Sequence, residues 1–110
     1  MSKSDILNNE FARDFRTGLL KLFILKMLAR DEMHGYAIMA RIEELSGWKP
    51  SPGSMYPSLA NLHAARLISF KVVKMKKVFS ITKKGREYVA ILDANFENGL
   101  NEIHRLYKEL

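Results

Sequence analysis

The sequence contains no cysteine, which excludes disulfide bonds, thiolate catalysis and cysteine-ligated zinc. Its first residues carry no charged segment followed by an apolar one, the pattern of a secretory signal. The longest strongly apolar stretch, Gly18 to Ala29, is interrupted by Lys21 and Lys26 and is too short to span a bilayer. We therefore expect a cytoplasmic protein with no membrane partner.

Acidic residues are also absent from the middle of the chain, Leu45 through Arg86. This segment holds nine of the 18 basic residues and none of the 12 acidic ones. A lysine or arginine beside a phosphate releases condensed counterions, so such a segment is typical of a surface that faces nucleic acid. A solvated basic face is the alternative interpretation.

Two helical patterns precede and enter this segment. In the first, Leu19–Arg30, apolar residues recur at helical spacing. The second, Gly35–Gly47, is expected to begin at its first glycine and end at its last. We expect this second helix to have one apolar face, formed by Ile38, Ile42 and Leu45.

A third helix is expected after Ser51-Pro52, because serine caps helices and proline is favoured at the first helical position. Pro57 is near enough to the start of this helix to be tolerated. The apolar stripe that would face inward is Met55, Leu59 and Leu62. The side chains expected on the opposite face are small and form hydrogen bonds: Ser54, Ser58 and Asn61.

The next two segments, Ile68–Val73 and Val78–Thr82, are rich in β-branched and aromatic residues and predict a hairpin. The connection between them, Lys74–Lys77, would be its lysine-rich tip. Thr82 can then cap a last helix that continues to the end of the chain. The fold class we predict is mainly α with a small β-hairpin.

The last helix has apolar residues that alternate three and four apart, with a gap at Gly99. A mean spacing of 3.5 residues is that of a coiled-coil seam. So long an apolar stripe needs more partner surface than a small domain offers, and we expect it to form a homodimer. The seam consists of Val89, Leu92, Phe96, Ile103, Leu106 and Leu110.

Three helices followed by a basic hairpin is the order of a winged helix-turn-helix domain, whose second helix of the pair enters the DNA major groove. We expect a short helix or arm over residues 1–16, including a helix at Ile6–Phe15, the DNA-binding domain over 17–86 and a dimerisation helix over 87–110. The wing lysines would hold phosphates. The residues expected at double-stranded DNA are Ser51, Ser54, Tyr56, Pro57, Ser58, Asn61, Lys74, Lys76 and Lys77.

Three strings in order, HGYAIMARIEELSG, SPGSMYPSLANLHAARLISF and ITKKGREYV, resemble the PadR family of transcriptional regulators. The resemblance covers about residues 19 to 90. It implies a winged-helix fold, a two-fold dimer made largely by the C-terminal helix, repression by operator binding, and a DNA-facing position for Ser54, Tyr56 and Pro57.

The short C-terminal portion is similar to the small branch of this family, which has one long helix there. That likeness implies a small aromatic or apolar effector between the subunits, against Phe96. The wing departs from the family pattern, because it lacks glycine and arginine and has Val78-Phe79 where members carry a Tyr-Tyr pair. Lysine acts as a point charge, so wing contacts should be less geometrically selective.

Two other functions are alternatives to a regulator of this kind. A non-specific architectural nucleic-acid-binding protein would share the basic segment but not the preference for an operator. An enzyme finds little support, because no nucleophile–base arrangement, phosphate-binding glycine loop or paired carboxylates can be seen. We expect no catalytic residue, no cofactor and no metal, since His34, His63 and His104 lack metal-ligand spacing.

Overall fold

The computed structural model describes residues 16–110, so the expected helix at Ile6–Phe15 and nearly all of the expected arm lie outside the described residues. The order of elements confirms the fold class, mainly helical with a small sheet and a long last helix. The elements are α1 (Leu20–Leu28), β1 (Met33–His34), α2 (Gly35–Ser46), α3 (Pro52–Ala64), β2 (Ile68–Val73), β3 (Lys76–Ile81) and α4 (Lys83–Glu109).

The first two helices end close to where the sequence predicts. α1 falls within the expected range, and α2 ends before Gly47, which has the left-handed φ of 76° that a helix terminator of this kind adopts. Leu45 continues the face of Ile38 and Ile42 along α2, as predicted, but it is 67% exposed, whereas the other two are buried. Periodicity gives the direction of a side chain, but it cannot tell how far along a helix the neighbouring elements reach.

The sheet has three strands in the order β1-β3-β2, all antiparallel. β1 was not predicted, because two residues are too few to show a period. The hairpin turn is also shorter than expected: it consists of Lys74 and Met75 alone, and Lys76 and Lys77 belong to β3. Both turn residues have positive φ, 50° and 67°, as a two-residue hairpin turn that follows the twist of its strands requires.

The core lies where α1, α2 and α3 meet one face of the sheet and the start of α4. The predicted inward stripe of α3 is confirmed, since each of its residues is at most 4% exposed. The buried apolar residues are Leu20, Ile24, Leu25, Leu28, Ile38, Met39, Ile42, Met55, Leu59, Leu62, Leu67, Ile68, Phe79 and Val89.

The end of α3 and the start of α4 are joined by a close backbone contact. The hydroxyl of Thr82 donates to the carbonyl of Arg66 (2.7 Å) and accepts from the amide of Gly85 (3.0 Å), so it caps α4 as predicted and also holds the end of α3. A Cβ at Gly85 would lie 2.1 Å from the carbonyl oxygen of Leu67 and 2.6 Å from a methylene carbon of Ile81. Only glycine fits this approach.

α4 extends far beyond the core. Its 27 residues correspond to a length of about 40 Å, yet only Gly85 and Val89 are buried and Leu92 is half-buried. From Asp93 onward every side chain of the helix is exposed. The helix is continuous across residue 86, where we expect the DNA-binding domain to end. Within residues 16–110, no helix is both long and apolar enough to cross a membrane.

We expect Gly85→Ala to lower the free energy of unfolding by about 1–3 kcal/mol or more, because the added methyl meets backbone that cannot move aside. Urea unfolding followed by circular dichroism measures this change. Gly53→Ala is the matched control, since its added Cβ comes no closer than 3.7 Å to Ser51 Oγ. Equal stability of the two variants would show that the contact at Gly85 relaxes without cost.

Candidate nucleic-acid interface

α3 is fixed at its start by the cap that the sequence predicts. The hydroxyl of Ser51 accepts from the amide of Ser54 at 3.2 Å, and Pro52 is the first helical residue. The helix remains continuous through Pro57. Because its buried stripe anchors it in the core, the rest of its circumference faces outward in a fixed orientation.

The outward face of α3 differs in part from the one predicted. Asn61 is exposed, as are Tyr56 and Pro57, whereas Ser54 and Ser58 are half-buried and flank this face instead of lying opposite the buried stripe. The hydroxyl of Ser58 also donates to the carbonyl of Ser54, at 2.8 Å. Among the predicted contact residues within the helix, the exposed ones are therefore the tyrosine, the proline and the asparagine.

The lysines of the wing, which comprises β2, β3 and their turn, are distributed over both faces of the hairpin. Lys77 alternates with the buried Phe79, so it shares the face that is directed towards α3. Lys76 lies on the other face, and Lys74 occupies the turn. Lys71, also on that other face, pairs with Glu32 at 3.6 Å. Among these lysines, Lys77 is therefore the one that lies on the strand face directed towards α3.

A cleft of about 630 Å³ separates α3 from the wing, and its lining is largely aromatic. Phe70 stands at its centre: its ring lies 5.1 Å from that of His63 and 5.8 Å from that of Phe79, and the ammonium of Lys77 lies 4.5 Å above it. This ring ties the wing to α3 while staying partly exposed. The residues that line the cleft are His34, Gly35, Tyr36, Tyr56, Leu59, Ala60, His63, Phe70, Lys76, Lys77 and Phe79.

Only three of the eleven lining residues, Tyr56, Lys76 and Lys77, were among the predicted site residues. Tyr36, His63 and Phe70 are aromatic lining residues that were not predicted. Tyr36 is 64% exposed at the start of α2, and the ammonium of Lys49 lies 5.8 Å from its ring centre. The signal for Phe70 was present in the sequence, because it alternates with the buried Ile68 and therefore shares its face. Their grouping could not be predicted, since it depends on how α2, α3 and the hairpin pack together.

The lining of this cleft carries positive charge and no negative charge. None of the residues that line the cleft is acidic, and none of the residues between Leu45 and Arg86 is. Within residues 16–110 no group of three histidine or acidic side chains stands close enough to hold a metal ion. The Nδ1 of His34 accepts from the amide of Ala37 and so caps α2, which gives this histidine a structural role.

A second cleft, of about 640 Å³, lies between α1 and α4. An ion pair between Lys26 and Asp93, 2.7 Å long, crosses from one helix to the other. Phe23 of α1 and Phe96 of α4 both line this cleft. It is bounded by the first exposed turns of α4, so it opens towards the unpartnered part of that helix.

Comparison with known proteins decides the family. The model of the transcriptional regulator PadR-like family matches residues 24–91, which is more than half of the chain. The chain belongs to the PadR-like family of transcriptional regulators. The matched PadR-like segment contains α2, α3, the wing and the beginning of α4.

Individual PadR-like relatives agree with this assignment. The chain is 38% identical over 80 residues to the transcriptional regulator YqjI of Escherichia coli, covering 70% of the chain and 39% of the relative. The chain thus spans less than half the length of that relative. The structure of a PadR-like transcription factor from Bacteroides fragilis has the same fold, with a TM-score of 0.72 at 20% identity over 89% of this chain and 99% of that one.

A further solved structure is that of Bacillus subtilis PadR in complex with operator DNA. It is 29% identical to this chain, with a TM-score of 0.60, and the match covers 66% of this chain and 44% of that one. The names of these PadR-like neighbours describe regulators of transcription, and none of the three describes an enzyme.

Proposed function

We propose that this chain binds a near-palindromic operator as a homodimer and represses transcription. The observation that supports the proposal best is the placement of the exposed face of α3 and the lysine-bearing wing on either side of one acid-free cleft. Such a surface suits a polyanion, because each lysine at a phosphate releases counterions. The complex of Bacillus subtilis PadR with operator DNA is consistent with it.

In this proposal α3 lies in the major groove, which is about 12 Å wide and admits a helix. Asn61 is the residue best suited to base recognition, because its exposed carboxamide can pair with both hydrogen-bonding groups of an adenine edge. Tyr56 and Pro57 would contact the groove wall beside it, and Ser51, Ser54 and Ser58 would contact the flanking backbone.

The wing lysines Lys74, Lys76 and Lys77 would hold phosphates of the adjacent backbone, which sets position and not sequence. Lys77 would act from within the cleft, since its ammonium already lies over Phe70. The cleft itself would receive the DNA strand that separates the groove occupied by α3 from the one beside the wing.

The proposed dimer forms through the exposed half of α4. Phe96 is 41% exposed, and Ile103 and Leu106 are each 57% exposed, although they continue the apolar stripe of Val89 and Leu92. A second copy of the same helix offers a matching stripe, because the 3.5-residue spacing is self-complementary. The two copies of α3 would then lie about 34 Å apart, one turn of DNA.

We further propose that a small flat apolar effector occupies the cleft between α1 and α4, against Phe96. The rings of Phe96 and Phe23 belong to its apolar lining, together with Leu22 and Leu92. An effector releases DNA only if it binds one dimer geometry better than the other. The Lys26–Asp93 ion pair bridges the two helices of this cleft, so a ligand that separates them would change the angle of α4.

Replacement of Lys74, Lys76 and Lys77 by alanine should weaken binding to all duplexes and flatten its salt dependence, because fewer counterions are released.

Asn61→Ala should instead change the preference among operator sequences, by about 1–3 kcal/mol at one base pair. Binding-site selection followed by fluorescence anisotropy at several salt concentrations measures both effects.

The control for the lysine variant replaces Arg41, Arg105 and Lys108 by alanine. This removes the same positive charge outside the acid-free segment and should leave the salt dependence of DNA binding unchanged. Wild-type protein should prefer its operator over random DNA by about a thousandfold or more. A ratio near one would contradict the proposal and indicate an architectural protein, as would a selection that yields no inverted repeat.

Ile103→Glu should convert the dimer to a monomer and weaken operator binding, because the new charge would be buried against its counterpart. Sedimentation velocity measures the change in mass. Asn101→Glu adds the same charge on the opposite side of α4 and should leave the dimer intact. A wild-type protein that sediments as a monomer at tens of micromolar would refute the proposed dimer.

A fluorescent dye with a flat aromatic body, such as the anionic anilinonaphthalene sulfonate, should bind saturably to the wild-type protein and weaken operator binding by about fivefold or more. Phe96→Ala should reduce both effects, because it removes an apolar wall of the cleft. Ile91→Ala, which alters an exposed side chain that does not line this cleft, should not. Dye binding that leaves operator affinity unchanged would argue against an effector site here.

A further inference from the structure

The turn at the tip of the wing carries residues that its backbone conformation disfavours. Lys74 and Met75 have φ values of 50° and 67°, in the left-handed region that two-residue hairpin turns usually fill with Asn-Gly. A residue with a Cβ pays a conformational cost there. Backbone strain of this kind concentrates at functional sites, so the two side chains of this turn are candidates for a functional role.

Met75 is almost wholly exposed, at 96%, the highest value among the large apolar side chains of the described residues. Two further apolar side chains, Val72 and Val73, are exposed just behind it. Lysines precede and follow it in the sequence, and no acidic residue occurs anywhere in the hairpin. The tip thus has an apolar centre with positive charge around it.

We propose that Met75 enters the minor groove of the operator, beside the major groove that α3 occupies; this inference rests on the proposed function. The minor groove is about 6 Å wide, and a two-residue turn is the narrowest end a hairpin can have. Phosphates border the groove, where Lys74 and Lys76 would meet them. Methionine is unbranched and adaptable and is among the apolar side chains that minor-groove proteins insert.

A methionine in this position gives the wing a preference among base pairs. In the minor groove a G·C pair differs from an A·T pair by the 2-amino group of guanine. A thioether offers this donor only a weak acceptor, so the amino group would lose water without gaining an adequate partner. Met75 therefore favours A·T at the position under the wing, a selectivity that lysines alone would not provide.

Inosine substitution tests this preference, because an inosine–cytosine pair lacks the 2-amino group but keeps the major-groove pattern of G·C. Inosine is placed in turn at each G·C position that flanks the α3 contacts of the selected operator. At the position under the wing, wild-type protein should bind the inosine duplex about fivefold more tightly or better, the lower end of what one base pair contributes.

Met75→Gly should abolish this ratio while the Tm stays equal or rises, because glycine accepts the positive φ. Met75→Leu, which keeps an apolar side chain, should retain the ratio. Lys74→Gly is the matched control: it relieves the neighbouring φ and removes a charge, so overall affinity should fall and the ratio should remain.

Two results would overturn the inference alone: operator binding with a ratio of one at every flanking position, or a Met75→Gly variant that keeps the wild-type ratio. A wild-type protein that binds no duplex would overturn the proposed function together with the inference. The two failures are therefore distinguishable in the same titrations.

Discussion

The arrangement of residues 16–110 depends on one close contact, where the backbone of α4 at Gly85 meets the carbonyl of Leu67 just after α3. The Thr82 hydroxyl bonds to both sides of this junction, and Lys84 donates to the carbonyl of Ala65 at 3.0 Å. Because these contacts hold the two helix ends together, we expect a change in the direction of α4 to move α3. The surface proposed for dimerisation and the surface proposed for DNA are thus mechanically joined.

The distribution of charge complements this geometry. The acid-free segment between Leu45 and Arg86 supplies α3 and the wing, whereas the acidic residues lie before and after it. Repulsion between its lysines is relieved at few places, such as the ion pair of Lys71 with Glu32 on the face away from the cleft. A positively charged surface that is not neutralised by the protein's own acidic residues favours binding of an external polyanion. The aromatic residues around Phe70 pack between the wing and α3 and hold them at a fixed distance.

Much of the fold could be predicted because it follows from local patterns in the amino-acid sequence. The cap at Ser51, the stripe of α3, the terminator at Gly47 and the cap at Thr82 each depend on residues a few positions apart, and each is confirmed. Other features depend on contacts between distant parts of the chain. The short strand β1 exists only because β3 is beside it, and Leu45 is exposed because no element packs there; neither fact has a local signal. The prediction for Ser54 and Ser58 failed for a different reason: with about 3.6 residues per turn, both positions lie beside the stripe of buried residues and not opposite it, so helix geometry alone places them on its flank.

The amino-acid sequence alone determined the order of elements, the acid-free segment and the apolar spacing of the last helix, because charge and periodicity are properties of the chain itself. Only the tertiary structure decided that Lys77 shares the strand face of Phe79 while Lys76 lies on the other face, that Tyr36 and Phe70 join α3 at one surface, and that Met75 is almost wholly exposed at the tip. These placements follow from register and packing: a two-residue turn sets which strand residues share a face, and no local pattern specifies how helices and sheet are oriented against each other.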